Sequence, residues 1–127
     1  MIDTLFTDDG VYEDVHDDRV YKGKEEIKKY LSTMFTYAPD TKIEWGKTYK
    51  SDNWAVAEWT WKDTQTGDIE GLIEATGKPF TIKGITVYEF KDGKIKRNTD
   101  YYNPGGFLYQ LGIKFIFPSG KIIHLSE

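Results

Sequence analysis

Asp100 lies in a predicted strand among polar side chains that could support proton transfer. Side chains alternate along a strand, so Asn98, Asp100 and Tyr102 share one face. If that face is concave, a carboxylate, an amide and a phenol form a polar cluster beside an aromatic wall. A carboxylate in a dry site has a raised pKa and can take a proton from carbon next to a carbonyl. The alternative is a carboxylate that faces solvent near Lys96 or Arg97.

Asp14 is the second candidate for this chemistry. It shares the face of an earlier predicted strand with Tyr12 and His16. His16 could carry a proton near neutral pH, although a histidine beside Asp17 and Asp18 is more often a loop residue. Asp14 itself could be an ordinary strand-end carboxylate that pairs with a lysine or arginine, or that holds a turn.

Length, charge and cysteine content narrow the class of protein. A chain of 127 residues is long enough for one domain with one core. The net charge of −4 and the lack of a basic run argue against nucleic-acid binding. Without cysteine, disulfides and thiol nucleophiles are excluded. No apolar run approaches the roughly 20 residues of a membrane span, and no export signal opens the chain, so we expect a cytoplasmic protein.

Nothing in the sequence predicts a metal or a cofactor. His16, Asp14 and Asp17 have a poor spacing for a metal site, and His124 is isolated near the C-terminus. We therefore expect any chemistry to be cofactor-free and to depend on the side chains of the chain itself.

The first forty residues predict a helix end, a strand and a helix. Residues 2–6 look like the last turn of a helix that the acidic turn at 8–10 ends, and residues 11–16 alternate as a strand does. A longer helix opens at Gly23 with an acidic first turn and ends before Pro39. Its apolar stripe consists of Ile27, Tyr30, Leu31, Met34 and Phe35.

Residues 42–102 predict an antiparallel sheet. Gly71 and Gly84 lie inside predicted strands, where glycine usually marks a bulge or a sharp bend. A strongly bent sheet can wrap around a helix and enclose a cavity. The runs rich in β-branched and aromatic residues are 43–50, 54–62, 69–75, 80–90 and 94–102.

A short helix and an apolar tail follow the sheet. Asn103 is a good N-cap in front of Pro104, and Gly112 suits the C-terminal end of that helix. The tail over 113–125 could form a further hairpin. The fold class is therefore α+β, with a strongly bent antiparallel sheet of about five to six strands wrapped around helices.

The order of helix end, strand, helix and bent sheet resembles the nuclear transport factor 2-like superfamily, and within it the SnoaL-like polyketide cyclase and ester cyclase group. The resemblance implies a cone-like domain over residues 1–112 and a tail over 113–127 that packs on this domain or on a partner chain. That fold hosts isomerases, cyclases, hydrolases and binding proteins. The resemblance is carried by residues 5–15, 20–27, 77–84, 92–95, 100–103 and 110–112.

The resemblance also implies roles for single residues. The ketosteroid isomerase branch has a similar pattern around its general base, which matches Asp14, although Val15 stands where that branch has proline. In SnoaL-like cyclases an aspartate of the last strand is the general acid/base, and Asp100 is its best match. Tyr88 lies on the strand where the isomerase branch places an oxyanion donor; the alternative is a core or interface tyrosine.

Relatives in this superfamily open with a long helix that closes the mouth of the cone. This chain begins near the last turn of that helix. We therefore expect a mouth that is open, that the tail at 113–125 fills, or that a partner subunit covers.

Aromatic residues of the 54–62 strand divide between its two faces. Trp59 and Trp61 share one face, whereas Trp54, Glu58 and Thr60 share the other. Alternation alone does not tell which face is concave. A second copy usually covers the outer face in this superfamily, so we expect a homodimer through that face.

Two functions of different class remain open. The first is an enzyme, an isomerase, cyclase or hydrolase that acts on a small apolar carbonyl or polyketide-like compound. Its acid/base would be Asp100 or Asp14, and its ligand-binding residues would be Tyr12, His16, Trp59, Trp61, Tyr88, Asn98 and Tyr102. The second is a non-catalytic module of the same fold for ligand binding or dimerisation.

Overall fold

The computed structural model describes residues 2–69, 71 and 73–123, apart from the side chain of Asp17. His124 lies outside these residues. In chain order the elements are α1 (Ile2–Leu5), β1 (Phe6–Asp14), a 3-10 turn (Val15–Asp17), β2 (Arg19–Lys22), α2 (Gly23–Tyr37), β3 (Lys42–Lys50), β4 (Trp54–Thr64), β5 (Pro79–Lys91), β6 (Lys94–Tyr102), α3 (Pro104–Gln110), β7 (Phe115–Ile116) and β8 (Ile122–Ile123).

Six strands form one mixed sheet in the order β2-β1-β6-β5-β4-β3. All neighbouring pairs are antiparallel except β1 and β6, which run parallel. Pairing irregularities between Trp45 and Thr48, and between Glu89 and Phe90, help the sheet to curve. Helix α2 packs beside β1 and β2. The predicted α+β fold with a bent sheet around helices is confirmed.

Burial along β4 shows which face of the sheet is concave. Ala57 and Trp61 are buried, whereas Trp54 and Glu58 are exposed. Trp59, half-buried, has the same strand parity as Ala57 and Trp61. The two tryptophans that the sequence placed on one face therefore point into the cone.

One end of the concave face is a packed core, which we call the closed end. It consists of Ala38, Trp61, Phe80, Ile82 and Leu111, with Phe107 and Ile113 packed against it. The ring of Phe80 meets those of Trp61 and Phe107 edge-on, at centroid distances of 5.0 and 4.9 Å. Such edge-to-face pairs add to the free energy gained by burying their area.

The prediction of a strand over residues 69–75 is wrong. Its described residues form a loop with one isolated bridge between Ile69 and Ile73. The fully buried Gln65 holds this loop: its amide donates to the carbonyl oxygens of Gly67 and Glu74 at 3.0 and 3.1 Å. A side-chain amide thus takes the place of a strand ladder.

The sequence predicted a bulge or a sharp bend at Gly84, and the structure has no bulge there. Gly84 stays in register with Trp59 on one side and Tyr102 on the other. A Cβ at this position would lie 2.5 Å from the indole ring of Trp59. Glycine is required here because an aromatic ring lies directly on the strand.

The remaining differences concern the ends of elements. Strand β1 begins at Phe6 and ends at Asp14, so His16 lies in the 3-10 turn rather than in a strand. Asn103 caps α3 as expected, because its Oδ1 accepts from the backbone N–H of Gly106 at 3.3 Å. The tail forms a hairpin of β7 and β8. No helix in the described part of the chain is long and apolar enough to cross a membrane.

Candidate functional site

A cavity of about 230 Å³ lies between the concave face of the sheet and α2. One wall is apolar and aromatic, and the other is polar. The apolar wall consists of Leu31, Met34, Phe35, Ile43, Trp45, Trp59 and Trp61, and the polar wall of Tyr12, Asp14, Tyr30, Thr41, Thr86, Tyr88, Asn98, Asp100 and Tyr102.

Parallel pairing of β1 with β6 brings the two candidate carboxylates together. Tyr12 lies opposite Asn98, and Asp14 lies opposite Asp100. Partners in a pair of strands point to the same face of the sheet. Two aspartates that are distant in sequence are therefore neighbours in one cavity wall.

Three donors hold the carboxylate of Asp100. The hydroxyl of Thr86 and the amide of Asn98 donate to Oδ1 at 2.6 and 3.0 Å. The phenol of Tyr12 donates to Oδ2. The indole N–H of Trp59 donates to the Thr86 hydroxyl at 2.8 Å, which leaves the Thr86 proton for Asp100. The carboxylate therefore has a fixed orientation.

Burial raises the pKa of Asp100 above the ordinary aspartate value of 3.8, and the nearby Asp14 acts in the same direction. The hydrogen bonds from Thr86, Tyr12 and Asn98 oppose this rise because they stabilise the anion. The net shift is upward, so the low-dielectric surroundings outweigh the three donors. A raised pKa is the property that a carboxylate needs to exchange protons with carbon near neutral pH.

The tyrosines of the polar wall are held in their protonated form. Burial, followed by the charge of Asp100, raises the pKa of Tyr12 and of Tyr88. Burial and then the charge of Asp14 raise the pKa of Tyr30 far above its ordinary value. These phenols are therefore hydrogen-bond donors at physiological pH rather than phenolates.

Asp14 is 2% exposed and uses both of its oxygens. Oδ2 accepts from the phenol of Tyr30, and Oδ1 meets Nδ1 of His16. The other ring nitrogen of His16, Nε2, lies 3.2 Å from the hydroxyl of Tyr102. The 3-10 turn after β1 makes these contacts possible because it folds His16 back over Asp14.

The structure brings eight of the nine predicted site residues to the cavity wall. His16 is outside that lining set, but it bonds to two of its members, Asp14 and Tyr102. Sequence analysis missed Tyr30 and Thr86 as site residues. Two signals could have found them. Tyr30 places a phenol in an otherwise apolar stripe, and Thr86 lies two residues before Tyr88 and therefore on the same face of the strand. The roles of all these residues stay predictions.

The mouth of the cavity has an apolar rim. Phe35, Ile43 and Trp45 all line the cavity and are 57, 42 and 61% exposed. The tail over its described residues 113–123 contributes nothing to the lining. These residues of the tail do not fill the mouth, and an open mouth or one that a partner subunit covers stays a prediction.

No group of three or more His, Cys, Asp or Glu side chains that could hold a metal ion occurs within the described ranges. The polar wall is thus a set of carboxyl, phenol, amide and hydroxyl groups with one imidazole behind it. This set can remove a proton, deliver a proton and donate hydrogen bonds to a developing negative charge.

Solved structures share this fold. A provisionally assigned SnoaL-like polyketide cyclase from Jannaschia sp. CCS1 has a TM-score of 0.80 and 13% identity, over 87% of this chain and 75% of that one. A protein with a ketosteroid isomerase-like fold from Catenulispora acidiphila DSM 44928, in complex with trimethylamine, has a TM-score of 0.75 and 22% identity, over 87% and 78%. TsrD from Streptomyces laurentii has a TM-score of 0.76 and 22% identity, over 87% and 80%.

At these identities the three structures establish the fold alone. No curated protein matches the sequence. A sequence model of the SnoaL-like polyketide cyclases matches residues 1–111, which is nearly the whole chain. With that match and the cone-shaped fold around a polar-walled cavity, the chain belongs to the SnoaL-like polyketide cyclase family.

Proposed function

We propose that the protein is a cofactor-free acid–base enzyme, an isomerase or cyclase, that acts on a small apolar carbonyl or polyketide-like compound. One observation carries this proposal: the carboxyl of Asp100 lies in the wall of a mostly apolar cavity, with a raised pKa and a fixed orientation. Hydrolysis of a related ester is open to the same groups.

The two walls of the cavity divide the chemistry between them. Trp59, Trp61 and Met34 offer an apolar surface for the body of the substrate. Asp100 takes the proton next to the carbonyl, and the electron pair of that C–H bond forms an enolate. The phenol of Tyr88 donates a hydrogen bond to the enolate oxygen. An isomerase then returns the proton to another carbon, whereas a cyclase lets the enolate carbon attack a second carbonyl.

Asp100 suits the role of base better than Asp14 does. Only 2% of Asp14 is exposed, whereas Asp100 is half-buried in the cavity wall. Asp100 has a raised pKa and one oxygen, Oδ2, with the phenol of Tyr12 as its donor. A second lone pair of Oδ2 can therefore accept a proton.

The test is hydrogen–deuterium exchange of the α-protons of 2-tetralone in D₂O, followed by NMR. We expect the protein to accelerate exchange over buffer, and Asp100→Asn to lower the protein-dependent rate by about 100-fold or more. Asp52→Asn, in the exposed turn between β3 and β4, is the matched control and should retain the rate. Equal rates for the protein and buffer, or for Asp100→Asn and the native protein, would contradict the proposal.

A non-catalytic ligand-binding module is the second candidate, and the open apolar rim of the mouth favours it. An open site is wet, which weakens electrostatic catalysis. Under this alternative 2-tetralone quenches the fluorescence of Trp59 and Trp61 without any acceleration of exchange. Substitution of both residues by phenylalanine, with Trp54→Phe as the control on the outer face, would show which tryptophans report binding.

We also propose a homodimer through the outer face of the sheet. Tyr49, Trp54, Ile85 and Tyr101 are 39 to 53% exposed on the strands of this sheet. Light scattering should give twice the chain mass of 14.7 kDa, and Trp54→Glu should lower it to the monomer value. A monomer at all concentrations would contradict this assignment.

The cytoplasmic location, and the division into a domain over 1–112 and a tail over 113–127, also remain predictions.

A further inference from the structure

We infer that Tyr102 is a second proton-transfer group of the cavity, opposite in role to Asp100, and that His16 supplies its proton while Asp14 positions the imidazole. The inference rests on the proposed function, because it adds the acid to a reaction for which Asp100 is the base. It gives a role to three buried or half-buried groups, Asp14, His16 and Tyr102, that removal of a proton by Asp100 does not use.

A chain of three side chains runs from the buried carboxylate to the cavity. Asp14 contacts Nδ1 of His16, and Nε2 of His16 lies 3.2 Å from the Tyr102 hydroxyl. The rings of His16 and Tyr102 are 4.7 Å apart between centroids, so they also pack against each other. A carboxylate on Nδ1 fixes the tautomer and the orientation of an imidazole and stabilises its positive charge.

His16 lies where the chain could exchange protons with solvent. A second cavity of about 200 Å³ lies behind the polar wall and includes His16 and Arg19 in its lining. It shares Tyr30 and Tyr102 with the main cavity, so these two phenols form part of the partition. The side chain of His16 is 22% exposed, whereas that of Asp14 is 2% exposed. Protons can therefore reach His16 from the side that substrate does not occupy.

Among the side chains that the structure describes, charged and titratable groups reach the surroundings of His16 from four elements. Asp14 faces it from β1 and Tyr102 from β6. Arg19 from β2, together with Tyr30 and Tyr37 from α2, lines the same second cavity. Asp14 is thus a carboxyl group in direct contact with the ring, and it holds the imidazole in place for the step.

In the proposed step the substrate loses one proton from carbon and gains one on oxygen. Asp100 takes the α-proton, and the C–H electron pair forms the carbon–carbon double bond of the enol. The π pair of the carbonyl moves to oxygen, which takes the proton of Tyr102. The Tyr102 oxygen takes a proton from Nε2 of His16, which ends neutral and still carries its Nδ1 proton toward Asp14. Solvent in the second cavity restores the proton of His16.

Chemical rescue tests this assignment with 2-tetralone as the probe. We expect His16→Ala to lower the maximal exchange rate by about 100-fold with a change in half-saturating concentration of no more than about twofold. Added imidazole, which fits the second cavity enlarged by the substitution, should restore at least about tenfold of that loss. Tyr102→Phe should show a similar loss, and imidazole should not rescue it.

The control is Tyr109→Phe in α3, which removes a buried hydroxyl that has no hydrogen-bond partner among the described residues. This variant should keep the native rate. If His16→Ala keeps the native rate while Asp100→Asn loses it, the inference fails and the proposed function stands. If Asp100→Asn keeps the native rate, or the native protein does not accelerate exchange, the proposed function fails and this inference fails with it.

A measurement without turnover gives an independent check. In ¹⁵N NMR of the native protein, neutral His16 should carry its proton on Nδ1, with His124→Gln used to assign the signals. The signal of Nε2 should shift in Tyr102→Phe because that nitrogen loses its partner. After His16 gives its Nε2 proton to Tyr102, the neutral ring keeps the Nδ1 proton that faces Asp14. A neutral His16 with its proton on Nε2 would therefore overturn the assignment.

Discussion

Strands β4 and β5 build a packed core at one end of the concave face and a hollow at the other. At the closed end Trp61 and Phe80 interlock with α3. At the hollow end Trp59, Thr86 and Tyr88 come from the same two strands, but they face an open cavity. The strand pattern is continuous through both ends. The difference therefore lies in which element covers the strands, and not in the strands themselves.

What covers each end explains its chemistry. Helix α3 and the first residue of the tail, Ile113, close one end with apolar side chains. At the other end α2 covers the sheet only in part, and the exposed rim at Phe35 and Trp45 marks where its cover stops. Polar groups can remain there because each of the two carboxylates is satisfied by hydrogen bonds. The closed end supplies stability, which lets the hollow end keep a site.

The largest effect should follow from a cavity made at the closed end. Phe80→Ala should lower the free energy of unfolding by about 3–5 kcal/mol, because Phe80 is 2% exposed and its partners cannot collapse around the void. Leu31→Ala, in the wall of the existing hollow, should cost only about 1 kcal/mol, because Leu31 is half-buried and loses only part of the transfer free energy of a leucine side chain. Urea denaturation of the two variants measures the difference. Equal costs would mean that the two ends are packed alike.

The next largest effect should come from the point where the two ends meet. Gly84→Ala places a Cβ 2.5 Å from the Trp59 ring and 2.7 Å from the carbonyl oxygen of Tyr101. The ring must move, which costs about 1–3 kcal/mol and breaks the hydrogen bond from Trp59 to Thr86. We expect lower stability and slower exchange of 2-tetralone together.

Gly106→Ala is the matched control for this variant. A Cβ there meets the Asn103 side chain at an ordinary 3.6 Å, and Gly106 lies in α3. Alanine in a helix should raise the free energy of unfolding by up to about 1 kcal/mol. A Gly84→Ala variant that matched this control would show that the Trp59 ring has room to turn, and that Thr86 does not depend on it.

Sequence patterns predicted the α+β fold and the alternation of side chains along the strands. The cap at Asn103 and the apolar stripe of α2 are local signals, and local signals depend on few neighbours. The failures were long-range. The run at 69–75 has strand-forming residues, but the side-chain amide of the buried Gln65 donates hydrogen bonds to the backbone carbonyl oxygens of Gly67 and Glu74 and holds a loop there. Its strand propensity was overridden by one tertiary contact.

The site was predictable as a set of residues but not as a network. Alternation grouped Asn98, Asp100 and Tyr102 correctly. Nothing local tells that β1 pairs in parallel with β6, which is the contact that sets Asp14 beside Asp100. The place of His16 depends on the 3-10 turn after β1, which brings its ring into contact with both Asp14 and Tyr102. Long-range register and turn geometry together decide which acids and bases meet.

The smallest effect is a change in the free energy of unfolding with pH. Its sign differs between Asp100 at the hollow end and the carboxylates on the surface. Burial raises the pKa of Asp100, so the folded protein binds that proton more tightly than the unfolded chain does. The stability this adds is complete below the ordinary value of 3.8 and is lost as pH rises through the raised pKa. Lysine partners lower the pKa of the exposed Asp3 and Asp8, and these groups act with the opposite sign.

Asp100→Asn isolates the contribution of the cavity, because the surface carboxylates remain in both proteins. We expect the free energy of unfolding of the native protein to fall relative to Asp100→Asn as pH rises above 3.8. Denaturation curves recorded from acid to neutral pH give the difference directly. Parallel curves would mean that Asp100 titrates as a solvated carboxyl does. The hollow end would then be as wet as the surface, and the pKa on which acid–base chemistry in this cavity depends would be absent.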